Sequence, residues 1–249
     1  MSSIIYHVGL TPPPKSDYGK FKICHHPVLK VEYESINAPE DIRDILHVNP
    51  VILIMSKNAV IGLEKWLHRY DIDDTFFQGA TFWTVGEKTH SFLKKTLQIS
   101  SSYPKIMTGD GLIDVLVQNN ESRVLLISGS DPRKEFIQSF NVAKLNYFHF
   151  PVYTTQVLEA SDLSIAFRDT ATNFLVMTSP SCIHGLKKNL DIPDLSSLKT
   201  KIITIGPTTS EAIRQHSGRV FRESRMPDIN FLYENLAYQS NLHLLGYRN

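Results

Sequence analysis

The chain has 249 residues, with 26 Lys and Arg against 25 Asp and Glu for a formal net charge of +1, and 42% of its residues are hydrophobic. A composition this close to the globular average excludes a disordered or fibrous chain. A charge near zero excludes a global field that draws nucleic acid or an anionic membrane, so an acidic ligand has to be held by local groups.

The N-terminal stretch, Met1 to Leu10, alternates apolar and polar residues and lacks the basic start and apolar block of a secretory signal. Apolar runs such as Val51-Ile52-Leu53-Ile54-Met55 are strand length, well short of the ~20 residues a spanning helix needs. The expectation is a cytoplasmic chain with no membrane partner. Runs rich in β-branched residues predict strands at Ile4–Val8, Val28–Tyr33, Val51–Met55, Thr81–Val85, Arg123–Ile127, Tyr147–Tyr153, Asn173–Met177 and Lys201–Ile205. Between them, apolar residues spaced by three and four predict helices over Ile42–Leu46, Val60–Tyr70, Lys88–Leu97, Leu112–Val117, Glu135–Leu145, Ile183–Leu190, Thr208–Gln215 and Ile229–Tyr238. Thr11-Pro12-Pro13-Pro14 reads as a stiff loop, and His25-His26 before Pro27 as a loop or strand start. The βα alternation with nearly continuous apolar strands predicts an α/β fold whose parallel sheets carry helices on both faces.

An internal repeat divides these pieces. Val51–Val60 matches Asn173–Cys182 in pattern, with Ser179 following Ser56 by 123 positions. Phe82–Thr89 matches Ile202–Thr209, with Gly206 following Gly86 by 120. Register kept across two βα units predicts two domains of one fold, each of roughly 120 residues. The strands at Val28–Tyr33 and Tyr147–Tyr153 each carry a proline, Pro27 and Pro151, and are expected to join the domains. The expected boundaries are 36–151 for an inserted domain and 1–33 with 155–249 for a discontinuous one, with linkers near 33–36 and 151–155. Paired crossing strands permit hinge motion.

Each repeat places a hydroxyl-rich turn between a buried strand and a helix: Ser56-Lys57-Asn58, and Thr178-Ser179-Pro180-Ser181. Such residues can cap the helix, and the free N–H groups and dipole at its start favour a carboxylate or phosphate. The second pair of turns, at Gly86 with Thr89 and at Gly206 with Thr208 and Thr209, ends a strand on glycine, which allows a tight turn against a ligand; Pro207 suits a first helical position. Polar caps follow strands in most α/β proteins whether or not a ligand binds. Four such turns at strand carboxyl ends, duplicated in two domains, favour a ligand site, because open α/β sheets bind there. Lys57, Lys88, Arg133 and Lys134 could neutralise the acids of a ligand, with solvated surface charge as the default reading of each. Cys24 and Cys182 lie 158 positions apart with no partners at metal spacing, which argues against zinc and against a disulfide framework.

Phe174–Ser181 and Ile202–Thr209 resemble the two signatures of the uroporphyrinogen-III synthases, and Phe150-Pro151-Val152-Tyr153-Thr154-Thr155 resembles their inter-domain strand. Val124–Gly129 before a basic helix start and Glu223-Ser224-Arg225-Met226-Pro227 before a final helix add to the resemblance, which runs from about Val28 to Ala237. The resemblance implies two Rossmann-like or flavodoxin-like domains joined by a two-stranded linker. It also implies a cyclising lyase of haem biosynthesis that closes hydroxymethylbilane, four linked pyrroles with eight carboxylates, while inverting the terminal ring. It implies no metal and no organic cofactor, a monomer, and transient contact with hydroxymethylbilane synthase. Carried over residue by residue, Tyr153 matches the tyrosine that assists departure of the hydroxyl. Ser179, Ser181, Thr208 and Thr209 match polar residues of the site, Ser56 and Thr89 their counterparts in the other domain, and Gly129 ends a matching strand. Read without the family, Tyr153 is a half-buried aromatic on a linker strand.

The chain departs from the family in Gly9–Pro14, which lacks the usual Arg after the first strand, and in a segment to Pro27 too short for the usual helix. Competing readings are a non-catalytic tetrapyrrole-binding or regulatory relative and a solute-binding protein. A nucleotide-dependent enzyme is disfavoured because no Gly-rich phosphate loop occurs.

Overall fold

The computed structural model describes residues 3–15, 17–18, 21–34, 37–159, 163 and 174–244. In chain order the elements are β1 (Ser3–Val8), β2 (Phe21–His25), β3 (Leu29–Glu32), α1 (Pro39–Leu46), β4 (Val51–Ile54), α2 (Lys57–Arg69), a 3-10 turn (Asp74–Phe77), β5 (Thr81–Thr84), α3 (Glu87–Leu97), α4 (Gly109–Gln118), β6 (Arg123–Gly129), α5 (Lys134–Val142), β7 (Asn146–Val157), β8 (Phe174–Met177), α6 (Ser181–Leu190), β9 (Lys201–Thr204), α7 (Pro207–Gln215), β10 (Val220–Glu223) and α8 (Ile229–Leu244). They form two compact units, Met1–Lys30 with Gln156–Asn249, and Val31–Thr155. The division falls inside β3 and inside β7.

In the first unit the sheet runs β2-β1-β8-β9-β10, with every neighbouring pair parallel. Counted within the unit this is the 2-1-3-4-5 order of flavodoxin-like folds. Its strand order reverses between β1 and β8, where such sheets open a crevice for ligands. In the second unit the sheet runs β5-β4-β6-β7-β3, and β5, β4, β6 and β7 are parallel. The order is the same, with one exchange: the fifth place, held by the last strand β10 in the first unit, is held here by the earliest strand, β3. The reversal of this unit lies between β4 and β6. The two strands that carry the chain between units, β3 and β7, are thereby neighbours in one sheet.

Helices cover both faces of each sheet, which is why β4 is buried along its whole length. Ile52, Ile54, Leu125 and Ile127 pack with Val60 and Leu63 of α2 and Leu93 of α3. The alternate residues Val51, Leu53, Val124 and Leu126 pack on the other face with Leu112 and Leu116 of α4 and Phe136 and Phe140 of α5. The first unit repeats this arrangement. Leu175 and Met177 meet Cys182, Ile183 and Leu186 of α6 and Ile213 of α7, while Ile5 and Val176 meet Leu232 and Tyr233 of α8.

Two strands depart from the sequence expectation. β2 and β10 lie at the edges of their sheet, and the alternation of buried Phe21 and Ile23 with exposed Lys22 leaves no continuous apolar run. His25 is accordingly the last residue of β2, not part of a loop or a strand start. The two cysteines are free, Cys24 half-buried and Cys182 buried.

One buried polar group shapes the first unit. His7 on β1 places Nδ1 2.6 Å from the Tyr233 hydroxyl and Nε2 2.9 Å from the Thr11 carbonyl. A carbonyl only accepts, so Nε2 carries the hydrogen and Nδ1 accepts from the phenol; a second ring proton would reverse the Tyr233 bond, with the phenol oxygen accepting. Burial lowers the His7 pKa from 6.5 to about 4, against the Thr11 bond, which raises it, and with His25, which lowers it further. The unfolded chain therefore binds a proton at a higher pH than the folded one. Stability from neutral His7 is complete above about pH 6.5 and is lost as pH falls toward 4, an effect of about 3 kcal/mol. Acid unfolding of the wild type is expected to be steeper over that range than that of His7→Gln, measured by circular dichroism against pH. Equal slopes would show that another group governs acid unfolding.

Candidate functional site

In the second unit, β4 leads through Met55 to Ser56, the N-cap of α2, whose Oγ accepts the Ala59 N–H at 3.1 Å. Lys57 is exposed, with Nζ 5.5 Å from the Phe92 ring centroid. Asn58 accepts the Tyr33 hydroxyl on Oδ1 at 3.1 Å. Across the strand-order reversal, β6 ends at Gly129 beside β7. Ser128 pairs with Pro151 but Gly129 with Tyr153, so Val152 is an inserted residue. This bulge lets consecutive residues, Val152 and Tyr153, both pack on the core that faces α2, where regular alternation would separate them.

The Tyr153 ring lies against Gly129, where a Cβ would stand 2.8 Å from Cε2 and Cζ. Its hydroxyl is 3.3 Å from Ser56 Oγ. Its carbonyl accepts the Ser130 N–H at 2.8 Å, and Thr154 Oγ1 donates to Ser130 Oγ at 3.1 Å. The phenol is half-buried. Behind Gly129, His149 Nε2 is 2.9 Å from Ser128 Oγ and 3.0 Å from the Gly129 carbonyl; burial lowers its pKa, and the bond to Gly129 opposes that. Thus Ser56, Asn58, Gly129 and Tyr153 come together, and Tyr33 and His149, which sequence reasoning passed over, join them. A signal for Tyr33 was its place at the end of the other predicted linking strand.

The remaining turn of this unit differs from expectation. Gly86 has φ 177°, extended backbone open to any residue, so no tight turn requires glycine there. The constraint is packing, since a Cβ would lie 3.1 Å from Met107 Cβ. Thr89 is buried, and its N–H donates to the Gly86 carbonyl at 3.1 Å.

In the first unit, Gly9 follows β1 and faces Thr178, where a Cβ would come 2.5 Å from Thr178 Oγ1. The Gly9 carbonyl accepts from His25 Nε2 at 2.8 Å. After β8, the N-cap position of α6 is Pro180 and no side chain caps the helix. Ser179 Oγ instead lies 2.8 Å from Ser181 Oγ and 3.1 Å from Cys182 Sγ. The hydroxyl turns aligned by the repeat therefore differ: Ser56 caps its helix, and Ser179 and Ser181 bond to each other. Burial raises the Cys182 pKa, while bonds from Ser179 and Thr178 lower it. After β9, Gly206 is extended at φ 173°, and among the described residues its Cβ position would meet only Pro227 Cβ, at 3.8 Å. Neither conformation nor crowding demands glycine here. Pro207 opens α7 as expected, Thr208 is exposed, and Thr209 is buried with its N–H on the Gly206 carbonyl at 3.2 Å.

Among the described residues, no group of three or more His, Cys, Asp or Glu is placed to hold a metal ion, and no helix is long and apolar enough to cross a membrane.

The chain is similar in fold to a mutant uroporphyrinogen III synthase of Thermus thermophilus, with 15% identity and a TM-score of 0.65 over 96% of this chain and 100% of that one. It is similar also to the uroporphyrinogen-III synthetase of Helicobacter pylori, with 15% identity and a TM-score of 0.59 over 98% and 100%. No curated protein sequence matches. At such identity the structures show the α/β fold with parallel sheets. The sequence profile described as uroporphyrinogen-III synthase HemD covers residues 16–234, and on that match the chain belongs to the uroporphyrinogen-III synthase family.

Proposed function

We propose that Tyr153, held by Ser56 at the strand-order reversal of the second unit, is the group through which this chain performs the cyclisation of its family. The enzyme is a cyclising lyase acting on a tetrapyrrole. Hydroxymethylbilane loses its terminal hydroxyl as water when the phenol supplies the proton, leaving an azafulvene cation delocalised over an electron-rich pyrrole. So stabilised a cation needs only a weak acid to assist its formation. The substituted carbon of the last pyrrole then attacks, forming a spiro centre; its bond to the neighbouring methylene bridge breaks, that methylene closes on the ring's unsubstituted carbon, and the proton this carbon loses restores the phenol. Head-to-tail closure competes, so positioning decides the product.

The observation that carries this reading is the 3.3 Å contact of the half-buried Tyr153 hydroxyl with Ser56 Oγ. Lys57, Asn58 and the backbone at Gly129 in the second unit, and Ser179, Ser181, Gly206 and Thr208 in the first, are proposed to hold substrate carboxylates. Gly86, Thr89 and Thr209 shape the turns from within. We also propose a monomer working in the cytoplasm without metal or organic cofactor, in transient contact with hydroxymethylbilane synthase; sedimentation with and without that enzyme tests the assembly.

Purified protein given freshly prepared hydroxymethylbilane, with no added metal, is expected to yield predominantly the type III ring, resolved by chromatography of the oxidised porphyrins. A product consisting of the type I ring at the uncatalysed rate would overturn the reading and favour a binding or regulatory role.

A further inference from the structure

Tyr33 lies one residue beyond β3 and is half-buried. Its hydroxyl donates to Asn58 Oδ1 at 3.1 Å, which ties the end of β3 to the first turn of α2. Its ring centroid is 6.5 Å from that of Tyr153, at an interplanar angle of 55°. Farther along α2, Lys65 places Nζ 5.0 Å over the same Tyr33 ring. Burial, and secondarily Tyr153, raise the Tyr33 pKa, so its hydroxyl remains a donor at neutral pH.

These contacts matter because of what the rest of the surroundings offer Tyr153. On one side the ring meets Gly129, which has no side chain to hold it. At its tip, among the described residues, it meets the Ser56 hydroxyl, which already accepts the Ala59 N–H, at 3.3 Å. Packing on the core that faces α2 holds part of the ring, and its χ1 is fixed only when the remaining flank is also filled. Tyr33 fills that flank and is itself anchored at Asn58.

We propose that Tyr33 is a positioning residue for the cyclisation: anchored to Asn58 and set against the Tyr153 ring, it keeps the Tyr153 hydroxyl directed at Ser56. The inference rests on Tyr153 being the proton donor. If the phenol strays, hydroxyl loss is no longer timed to a substrate wrapped for attack by the substituted carbon, and the rate and the choice of ring isomer suffer together. An aromatic that merely fastens β3 to α2 would affect stability alone.

A double-mutant cycle separates these roles. Tyr33→Leu is expected to lower kcat by about 5- to 10-fold, with KM within about twofold, and to raise the share of type I ring. Tyr33→Phe, which keeps the ring and loses only the Asn58 bond, is expected to recover most of that loss. In a Tyr153→Phe background, Tyr33→Leu is expected to change kcat by less than about twofold, because there is no hydroxyl left to direct. A Tyr33→Leu protein with a lower Tm but unaltered kcat and isomer ratio would overturn the inference, as would the full loss persisting in the Tyr153→Phe background. Should Tyr33→Leu fail to fold, Tyr33→Phe carries the cycle, with a loss of about two- to threefold that disappears when Tyr153 is Phe. If Tyr153→Phe alone leaves kcat unchanged, the donor reading falls, and this inference with it; if only the Tyr33 variants are silent, the donor reading stands.

Discussion

Tyr153→Phe is expected to lower kcat by about 100-fold, near the lower end of what a general acid contributes, because the cation formed on hydroxyl loss is already well stabilised. KM is expected to move by less than about threefold, since the lost hydroxyl acts on the departing group more than on the bound chain. The substitution is clean by volume. The phenyl ring keeps its place on Gly129 and its contact with the core that includes Val152. Ser56 keeps its bond from Ala59. Thermal stability should therefore change by less than about 1 kcal/mol, the net worth of one half-exposed hydrogen bond. As enzymatic ionisation slows, uncatalysed closure claims more substrate, so the type I share should rise with the fall in kcat. Steady-state kinetics with isomer analysis measure both, and a variant as fast as wild type would deny the phenol its role.

The second large effect concerns two glycines inside helices. Helix propensity alone predicts that Gly→Ala at either position stabilises by about 1 kcal/mol. The packing predicts the opposite. A Cβ on Gly62 of α2 would collide with the Val152 carbonyl oxygen and lie 2.8 Å from Val152 Cγ2. On Gly185 of α6 it would lie 2.7 Å from the Val28 carbonyl oxygen and 2.8 Å from Val28 Cγ2. Backbone cannot swing aside as a side-chain tip can, so the helix itself must shift. Each substitution is expected to cost about 2–3 kcal/mol, the range of core overpacking, measured by denaturant unfolding. Only Gly62→Ala should also reduce kcat through the Tyr153–Ser56 pair, because Ser56 caps α2 and Tyr153 follows Val152 on β7. Neutral or stabilised variants would show that the helices have slack against these strands.

Those glycines also show how far the sequence could be read. Gly185 follows Gly62 by 123 positions, the spacing that relates Ser179 to Ser56. The repeat therefore contained the pair, but nothing local marks a helical glycine as a contact with a distant carbonyl. The duplicated α/β organisation was legible because parallel strands buried on both faces must be apolar where they are covered, as β4, β8 and the Val124–Ile127 stretch of β6 are. β2 and β10 were not, since covered and exposed residues alternate along them and leave no apolar run. Tyr153 and Ser56 could be named from their motifs, whereas their approach depends on a bulge at Val152, to which Pro151 inside the strand was the one local pointer.

Equivalent positions in the two copies also diverged in use. Ser56 caps a helix while Ser179 turns to Ser181 and Cys182. Thr89 and Thr209, polar by sequence, are buried. By itself, then, the order of residues determined the element types, the repeat and the chemistry available at the strand ends, because periodicity and capping act over a few neighbouring positions. Which hydroxyls meet, which face inward, and that Tyr33 flanks Tyr153 were decided by tertiary structure, because those contacts join residues brought together only when strands and helices pack.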